Sequence, residues 1–338
     1  MPTERREEAS TGRPLVVLTD DSIHPAATEL LARCCDVRVL GAYPQEAELV
    51  AACADARGIL ARLGTVTRRV IENAPRLAIV ARHGVGVDAV DLAAATARGV
   101  VVTTTGGENA AAVAEYTFAL LLALVRRVAD ADRGMRQGSW LRAPLVGFEL
   151  DGRTLGIVGL GTIGRRVARQ GLGFGMRVLA FDPGLADSGD PAVELTSFAR
   201  LLAEADVVTV HTRLTPATTR LLDARAFAAM KPTAFFVNTA RGEVVDEPAL
   251  VEALASNSIA GAALDTYAVE PLPAASVLRG LANVVLSPHV AGQTGEALMR
   301  VAVCAAQSIL DEFAGRRPRF VYNPEAYARR AQRGTAGS

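Results

Sequence analysis

The sequence has no excess of charge of either sign, few cysteines, few aromatic residues and no long hydrophobic run. Lys plus Arg and Asp plus Glu both total 36, so no net field attracts nucleic acid or an anionic membrane surface. The longest apolar stretch, about 118–125, is too short to span a bilayer, and residues 1–10 are charged and lack the apolar region of a signal peptide. We therefore expect a cytoplasmic protein that binds a small molecule and neither nucleic acid nor membrane.

Cysteine is scarce and its spacing is not that of a metal site. The four cysteines are Cys34, Cys35, Cys53 and Cys304. An adjacent pair lacks the CxxC spacing of zinc ligands, and without a secretory signal there is little reason to expect disulfides. We expect four small buried residues and no metal. A hydrophobic share of 50% with 21% charged residues is typical of a globular protein, here long enough for two domains.

The most informative stretch is an apolar run from Leu155 that turns on three glycines into a helix-compatible segment. Gly159 permits the tight turn, Gly161 has no Cβ to block a pyrophosphate, and Gly164 lets the helix pack closely on the strand. The free N–H groups that open the helix favour an anion. The stretch predicts strand, turn and helix around a phosphate-bearing ligand.

A second apolar run, 176–181, ends at Asp182, which lies 18 positions after Gly164. A carboxylate at this spacing accepts hydrogen bonds from the adenosine ribose hydroxyls and repels a 2′-phosphate, so it favours NAD over NADP. No Arg follows it, because the chain continues Pro183-Gly184. The structural alternative is that Asp182 merely caps a turn before Pro183.

Short apolar runs alternate with helical patterns on both sides of this fingerprint. The runs before it are 15–18, 37–40, 58–61, 77–81 and 100–102, and those after it are 207–210, 233–238, 261–264 and 284–286. This alternation predicts the α/β class, with two parallel sheets that are Rossmann-like or flavodoxin-like, in two domains.

Polar residues follow four of the later strands. They are His211-Thr212, Thr239-Ala240-Arg241, Asp265 and His289, with Glu270 nearby. The carboxyl edge of an open parallel sheet is where ligands bind. Hydride transfer to a 2-keto acid needs a cation for the carboxylate and carbonyl, and an acid for the forming alkoxide, which are the roles that Arg241 and His289 can fill. A carboxylate such as Glu270 stabilises imidazolium. Singly, each could be a surface or capping group; together they predict a catalytic site.

The first domain and the helix that follows it carry further candidates. In the loop Arg82-His83-Gly84-Val85-Gly86 the N–H groups of Val85 and Gly86 could hold a carboxylate, whereas a plain βα turn would have Asp88 as helix cap. The helix from about Asn109, its expected cap, to Arg127 is apolar on nearly all faces, so it must be buried inside a domain or against a second subunit. Trp140, in the loop after it, is expected to be a packing anchor.

These motifs resemble the D-isomer-specific 2-hydroxyacid dehydrogenases, on the phosphoglycerate and glycerate dehydrogenase side of that family. The matching stretches are Gly159–Gly164, Met230–Gly242, Leu264–Pro271, Ser287–Gly292, Arg82–Asp91 and Asn323-Pro324. The chain departs from the pattern at Arg213, where proline is more usual, and at Arg62-Leu63-Gly64, which replaces a commoner Arg-Ser.

The resemblance implies an oxidoreductase with Arg241 as clamp for the substrate carboxylate and carbonyl, His289 as proton donor and acceptor, and Glu270 as its partner. It implies NAD held by Gly159, Gly161, Thr162, Ile163, Gly164, Asp182, His211, Thr212, Thr239, Ala240, Asp265 and Gly292. It implies a small 2-hydroxy or 2-keto acid held by Arg62, Val85, Gly86 and Arg241.

The implied domains are discontinuous. A flexible tail at 1–13 precedes a substrate domain of 14–104 and 293–330, which surrounds a nucleotide domain of 105–292 and is followed by a tail at 331–338. A cleft between the domains would close over substrate, and a homodimer would form through the nucleotide domain. The alternatives are a formate- or phosphite-type dehydrogenase, of which the formate enzymes have Gln where Glu270 stands, and an NAD-sensing corepressor of the same fold.

Overall fold

The computed structural model describes residues 12–140 and 142–336, which form two compact units. Unit 1 runs to Asn109 and resumes at Gly295, and unit 2 is Ala110–Thr294. The tail predicted at 1–13 falls almost wholly outside the described residues. The tail predicted at 331–338 is helical as far as Ala336.

The helices and strands alternate through most of the described chain. In chain order they are β1 Leu15–Leu18, α1 Pro25–Ala32, β2 Asp36–Val39, α2 Glu46–Cys53, β3 Gly58–Ala61, α3 Arg68–Glu72, β4 Ile79–Arg82, α4 Leu92–Arg98, β5 Val101–Thr103, α5 Ala110–Val125, α6 Val128–Arg136, β6 Thr154–Val158, α7 Thr162–Gly173, β7 Arg177–Phe181, β8 Val193–Leu195, α8 Phe198–Glu204, β9 Val207–Val210, α9 Ala224–Ala228, β10 Phe235–Asn238, α10 Glu247–Ala255, β11 Gly261–Leu264, β12 Val284–Leu286, α11 Gly295–Phe313 and α12 Glu325–Ala336. This confirms the predicted α/β class.

The sheet of unit 1 is parallel, with strand order β2-β1-β3-β4-β5 in the described residues. Its central strands are apolar throughout because both faces are covered. One face places Val17, Ile59 and Val80 in a core, and the other places Leu60 beneath Ile309 of α11. In this order the chain reverses direction across the sheet between β1 and β3, so a ligand crevice is expected at their carboxyl ends.

The sheet of unit 2 is also parallel, with order β12-β11-β10-β9-β6-β7-β8 in the described residues. The order reverses between β6 and β9, which are direct neighbours. Sequence reasoning missed β8, a strand of three residues at the sheet edge. Its sequence is Val-Glu-Leu, so a charged residue at its centre interrupts the apolar run that marks the other strands.

Helix α5 lies against α7, β10, β11 and β12 within unit 2. Most of its side chains are buried there, including Phe118 and Leu121. The apolar faces of α5 are thus buried largely inside unit 2 itself. Asn109 does not cap this helix through its side chain, because its Oδ1 atom is buried and has no hydrogen-bond partner. Among the described residues, none of the helices has the length and apolar character that a bilayer span requires.

Two local expectations and one alternative were wrong. Trp140 is not a packing anchor, since it is 77% exposed in an irregular segment after α6. Of the cysteines, Cys34 is exposed and Cys304 partly so, whereas Cys35 and Cys53 are buried. Helix α4 is capped by Asp91, which accepts a hydrogen bond from Ala94 N–H at 2.8 Å, because the loop runs three residues beyond Asp88 before the helix begins.

Candidate active site

The register of the second sheet aligns the carboxyl ends of its strands. Phe181, Val158, Val210, Asn238, Leu264 and Leu286 form one row of paired residues across it. The next residue along each strand is Asp182, Gly159, His211, Thr239, Asp265 or Ser287. Parallel pairing therefore brings the predicted polar residues of unit 2 to one edge.

The three glycines lie in the turn after β6 and in the first turn of α7. Gly159 has φ +95°, and a Cβ there would lie 2.9 Å from the Thr212 nitrogen, so the turn packs on the His211-Thr212 backbone. A Cβ at Gly164 would lie 2.1 Å from the Gly159 oxygen, which shows how closely α7 approaches the turn. A Cβ at Gly161 would meet nothing within 4 Å. The open space at Gly161 lies where α7 begins, with Thr162 and Ile163 in its first turn and no side chain capping it.

Asp182 both caps its own turn and braces the glycine turn. Its Oδ1 accepts from Gly184 N–H at 3.0 Å and its Oδ2 accepts from Leu160 N–H at 2.9 Å. Sequence reasoning missed a cation nearby: Arg165 of α7 donates to the carbonyl oxygen of Ser188, in the loop that follows Asp182. Its position one residue after Gly164 was the available signal.

His211 enters this edge as a neutral imidazole. Its Nε2 lies 3.0 Å from the Thr209 hydroxyl, and its Nδ1 is buried without a partner. Burial lowers the pKa of His211 to about 3. A buried ring nitrogen without a partner, beside the glycine turn, is a polar group to which a ligand can bind.

Asn238 shapes the turn that carries Thr239, Ala240 and Arg241. Its Oδ1 accepts from Ala240 N–H at 2.9 Å, and its Nδ2 donates to the Arg241 oxygen at 2.9 Å. The Thr239 hydroxyl lies 3.0 Å from that of Thr117 on α5. At Gly242 a Cβ would lie 1.9 Å from the Tyr267 carbonyl carbon. The backbone after Arg241 is therefore pressed against the loop that leads to Glu270.

His289 and Glu270 form a hydrogen-bonded pair. The imidazole Nδ1 lies 2.7 Å from Glu270 Oε2, while Oε1 accepts from Tyr267 N–H at 3.1 Å. Burial raises the pKa of Glu270, but the hydrogen bond and charge of His289, the Tyr267 N–H and the charge of Arg241 outweigh it and hold that pKa below its ordinary value. Glu270 is thus a carboxylate throughout the neutral range, and Arg241 is close enough to influence it.

Asp265 holds the loop that carries His289. It is fully buried, and its Oδ1 accepts from the Ser287 hydroxyl at 2.6 Å and from Val290 N–H at 2.9 Å. Its Oδ2 accepts from Ala291 N–H at 2.8 Å, immediately before Gly292. His289 has φ +54°, a left-handed conformation that costs roughly 1–2 kcal/mol for a residue with a Cβ. Asp265 therefore stabilises a strained backbone, a positioning role that the sequence did not reveal.

Tyr267 also forms hydrogen bonds that hold the same loop. Its hydroxyl donates to the Ser287 oxygen at 2.8 Å and accepts from Ser287 N–H at 3.1 Å. Sequence reasoning missed both Tyr267 and Ser287 as positioning residues. The register pairs Leu264 with Leu286, so these residues meet only once the two strands are side by side.

The substrate candidates of unit 1 lie at the carboxyl edge of its own sheet. Arg82 joins two loops, since its Nε donates to the Gly86 oxygen and its Nη1 to the oxygens of Ala61 and Arg62, at 3.0–3.1 Å. Within the described part of the chain, the N–H groups of Val85 and Gly86 have no acceptor. Two unpartnered N–H groups in one tight loop suit an anion such as a carboxylate.

The chain is similar to several known proteins. The sequence model of the D-isomer specific 2-hydroxyacid dehydrogenases, NAD binding domain, matches residues 118–291. The curated D-3-phosphoglycerate dehydrogenase of Synechocystis sp. is 39% identical over 302 residues, which cover 88% of this chain and 54% of that relative. The chain thus spans about half the length of that relative.

Two further relatives match almost from end to end. A curated glyoxylate reductase of Aeropyrum pernix is 39% identical over 326 residues, 93% of this chain and 97% of that protein. A crystal structure of a Thermus thermophilus protein has a TM-score of 0.85 at 39% identity and covers 91% of this chain and 99% of that one.

Proposed function

The chain belongs to the D-isomer specific 2-hydroxyacid dehydrogenase family, and on that premise we propose that it interconverts a D-2-hydroxy acid and a 2-keto acid by hydride transfer to and from NAD. The observation that carries the proposal is the 2.7 Å pair of His289 and Glu270 in unit 2, close to the charge of Arg241. These are the acid, its partner and the cation that the reaction requires.

The residues of unit 2 fit NAD. The space at Gly161, the uncapped start of α7 and the carboxylate of Asp182 suit a pyrophosphate and a ribose, and the buried Nδ1 of His211 offers a further polar contact. Thr162, Ile163, Thr212, Thr239, Ala240 and Gly292 complete the proposed set. Bound NAD supplies the hydride acceptor, or in its reduced form the donor.

The protein's own side chains stabilise the negative charge of the substrate and transfer the proton. Arg241 stabilises the substrate carboxylate and the developing negative charge on the carbonyl oxygen. Because Glu270 binds Nδ1 of His289, Nε2 is the nitrogen left to exchange a proton with the substrate oxygen. In reduction the imidazolium donates that proton, and in oxidation the neutral ring accepts it. Asp265 contributes by fixing the loop of His289 rather than by moving a proton.

A panel of keto acids tests the proposal. NADH oxidation is measured with glyoxylate, hydroxypyruvate, phosphohydroxypyruvate and larger branched acids, and we expect turnover with at least one of them. NAD binding without turnover on the whole panel would favour the corepressor alternative. Turnover of formate or phosphite alone would favour that dehydrogenase class, although Glu270 argues against the formate enzymes.

We expect the unmutated protein to prefer NAD(H) to NADP(H), because the Asp182 carboxylate repels a 2′-phosphate. Asp182→Ala should narrow the preference in kcat/KM by about tenfold or more, since charge repulsion at contact distance is worth at least ~1.4 kcal/mol. Arg165, which already reaches the same loop, would assist a 2′-phosphate once the carboxylate is gone.

Asp187→Ala is the matched control for Asp182. Asp187 lies in the same loop and caps a similar turn, with Gly189 N–H donating to its Oδ1 at 2.8 Å. Its removal should leave the cofactor preference unchanged. Equal efficiency with both cofactors before any substitution would refute the role of Asp182.

We also propose a homodimer built through unit 2. The support comes from four large apolar side chains in the segment that follows α5: Val128, Met135, Trp140 and Val146 are 53%, 55%, 77% and 81% exposed. Exposed apolar side chains that share one surface favour an interaction site there. Light scattering should give twice the chain mass, and Trp140→Glu with Val146→Glu should halve it. Val277→Glu, at a 59% exposed position elsewhere in unit 2, should leave the mass unchanged. A monomer before substitution contradicts the proposal.

A further inference from the structure

The carboxyl ends of β1 and β3 hold an ion pair that is almost wholly buried. Asp20 has a fully buried side chain, and that of Arg62 is 14% exposed, with Nη1 lying 3.0 Å from Asp20 Oδ2. The pair lies where the strand order of unit 1 reverses, which is the expected ligand crevice of such a sheet. A ligand that binds at this edge is therefore close both to the positive charge of Arg62 and to the negative charge of Asp20.

Ser22 fixes the carboxylate of Asp20. Its N–H and hydroxyl both donate to Asp20 Oδ1, at 2.9 and 2.8 Å, and Arg62 Nη1 also approaches the Ser22 hydroxyl. The Thr19 hydroxyl accepts from Arg62 N–H at 3.0 Å and donates to the Leu63 oxygen at 2.7 Å, so the two strand ends are joined beneath the pair. Asp20 therefore cannot turn away to leave Arg62 as an isolated cation.

The neighbouring groups add little positive charge. Burial, followed by the positive charge of Arg62, lowers the pKa of His83 to about 4, so its ring is neutral. Arg82 donates to three backbone oxygens and contributes one positive charge. The single negative charge of a keto-acid carboxylate balances it. A phosphate group would bring roughly 1.5–2 further negative charges to the edge that Asp20 faces.

We propose that Asp20 is a specificity-determining residue: its buried carboxylate offsets the charge of Arg62, so the enzyme takes an unphosphorylated 2-keto acid and disfavours one that carries a phosphate. This inference rests on the proposed function. A planar guanidinium carries five N–H donors, and Asp20 and Ser22 share one nitrogen, so Arg62 retains donors for a neutral oxygen such as a hydroxyl or aldehyde. Arg62 is then a hydrogen-bond donor to the substrate rather than a phosphate grip.

The test compares hydroxypyruvate with phosphohydroxypyruvate, which differ by the phosphate alone. The unmutated enzyme should prefer hydroxypyruvate in kcat/KM, and Asp20→Asn should raise the relative efficiency with the phosphorylated acid by about tenfold, because one opposing charge is removed. Asp21→Asn is the matched control, since it removes the same charge from the adjacent, exposed position. A preference for phosphohydroxypyruvate before substitution, or a ratio that Asp20→Asn leaves unchanged, overturns the inference.

Two further measurements keep the inference testable, the first if Asp20→Asn fails to fold and the second if no keto acid is reduced. The double variant Asp20→Asn with Arg62→Gln removes both charges and should keep the substrate ratio of the unmutated enzyme, whereas a fall in the relative efficiency with phosphohydroxypyruvate would identify Arg62 as a phosphate grip. Inorganic phosphate should raise the melting temperature of Asp20→Asn but not of the unmutated protein, and the reverse result contradicts our assignment. Absence of all turnover defeats the proposed function, while the phosphate response still decides the role of Asp20.

Discussion

Replacing His289 by Gln should lower turnover in both directions by roughly 10²–10⁴-fold, the range that a positioned proton transfer contributes. Gln fills similar space but cannot exchange a proton near neutral pH. Binding of NADH, measured by fluorescence titration, should be unchanged, because the His289 side chain is not among the proposed cofactor contacts. Near-normal turnover would show that His289 is not the acid.

Backbone strain has to be separated from lost chemistry at this position. His289 has φ +54°, and Asn adopts the left-handed conformation more readily than most residues. His289→Asn should therefore lose as much activity as His289→Gln while unfolding at a similar or higher temperature. His24→Asn is the control for a generic loss of histidine, since His24 caps α1 by accepting from Ala26 N–H at 3.2 Å, and Asn can do the same. Its turnover should match that of the unmutated enzyme.

Glu270→Gln should move the pH profile of keto-acid reduction to lower pH by about one unit or more, a shift equivalent to ~1.4 kcal/mol of lost charge stabilisation. Reduction needs imidazolium at His289, so its rate falls as pH rises. The Glu270 carboxylate, whose pKa is held low, is negatively charged throughout this window and favours imidazolium. Gln keeps the size and the hydrogen bond but removes the charge. Oxidation needs the neutral ring, rises over the same window and should suffer less.

Glu247→Gln provides the matched control for charge. Glu247 Oε2 accepts from Ala268 N–H at 3.0 Å, so it binds the same loop but through the backbone rather than through His289. Its amide can still accept that bond, and the pH profile should stay where it is. The measurement is the pH dependence of the rate in both reaction directions for each variant. An unshifted profile for Glu270→Gln would mean that Glu270 is not the partner of His289.

Most strands were predictable because they are short apolar runs bounded by polar residues. The strands β1, β3, β9, β11 and β12 begin and end where the apolar runs do. Trp140 was misjudged because an aromatic side chain is usually buried, and nothing in the neighbouring sequence indicates that this one is exposed. The cap of α4 was misplaced from Asp91 to Asp88 because both acids precede the same helical pattern.

The chemistry-bearing residues were predictable as types at strand ends, but their pairings were not. His289 and Glu270 lie 19 residues apart in two separate matching stretches, and only the family resemblance implied their contact. Asp20 and Arg62 are 42 residues apart, and only the neighbouring positions of β1 and β3 bring them together. Asp20 stands beside Asp21, and the two have the same apparent character in the sequence. Burial alone distinguishes them.

The division of the chain at Asn109 and Gly295 determines which of the two units can be completed first during synthesis. Unit 2 is one continuous stretch, finished at Thr294, whereas the sheet of unit 1 is made first but lacks α11. Until α11 emerges, the apolar face formed by Leu60 and its neighbours has no cover from Ile309. Domains fold as units during synthesis, usually from the N-terminus. Here the second unit to be started is the first that can be completed, and until α11 is made one sheet face of unit 1 lacks part of its cover.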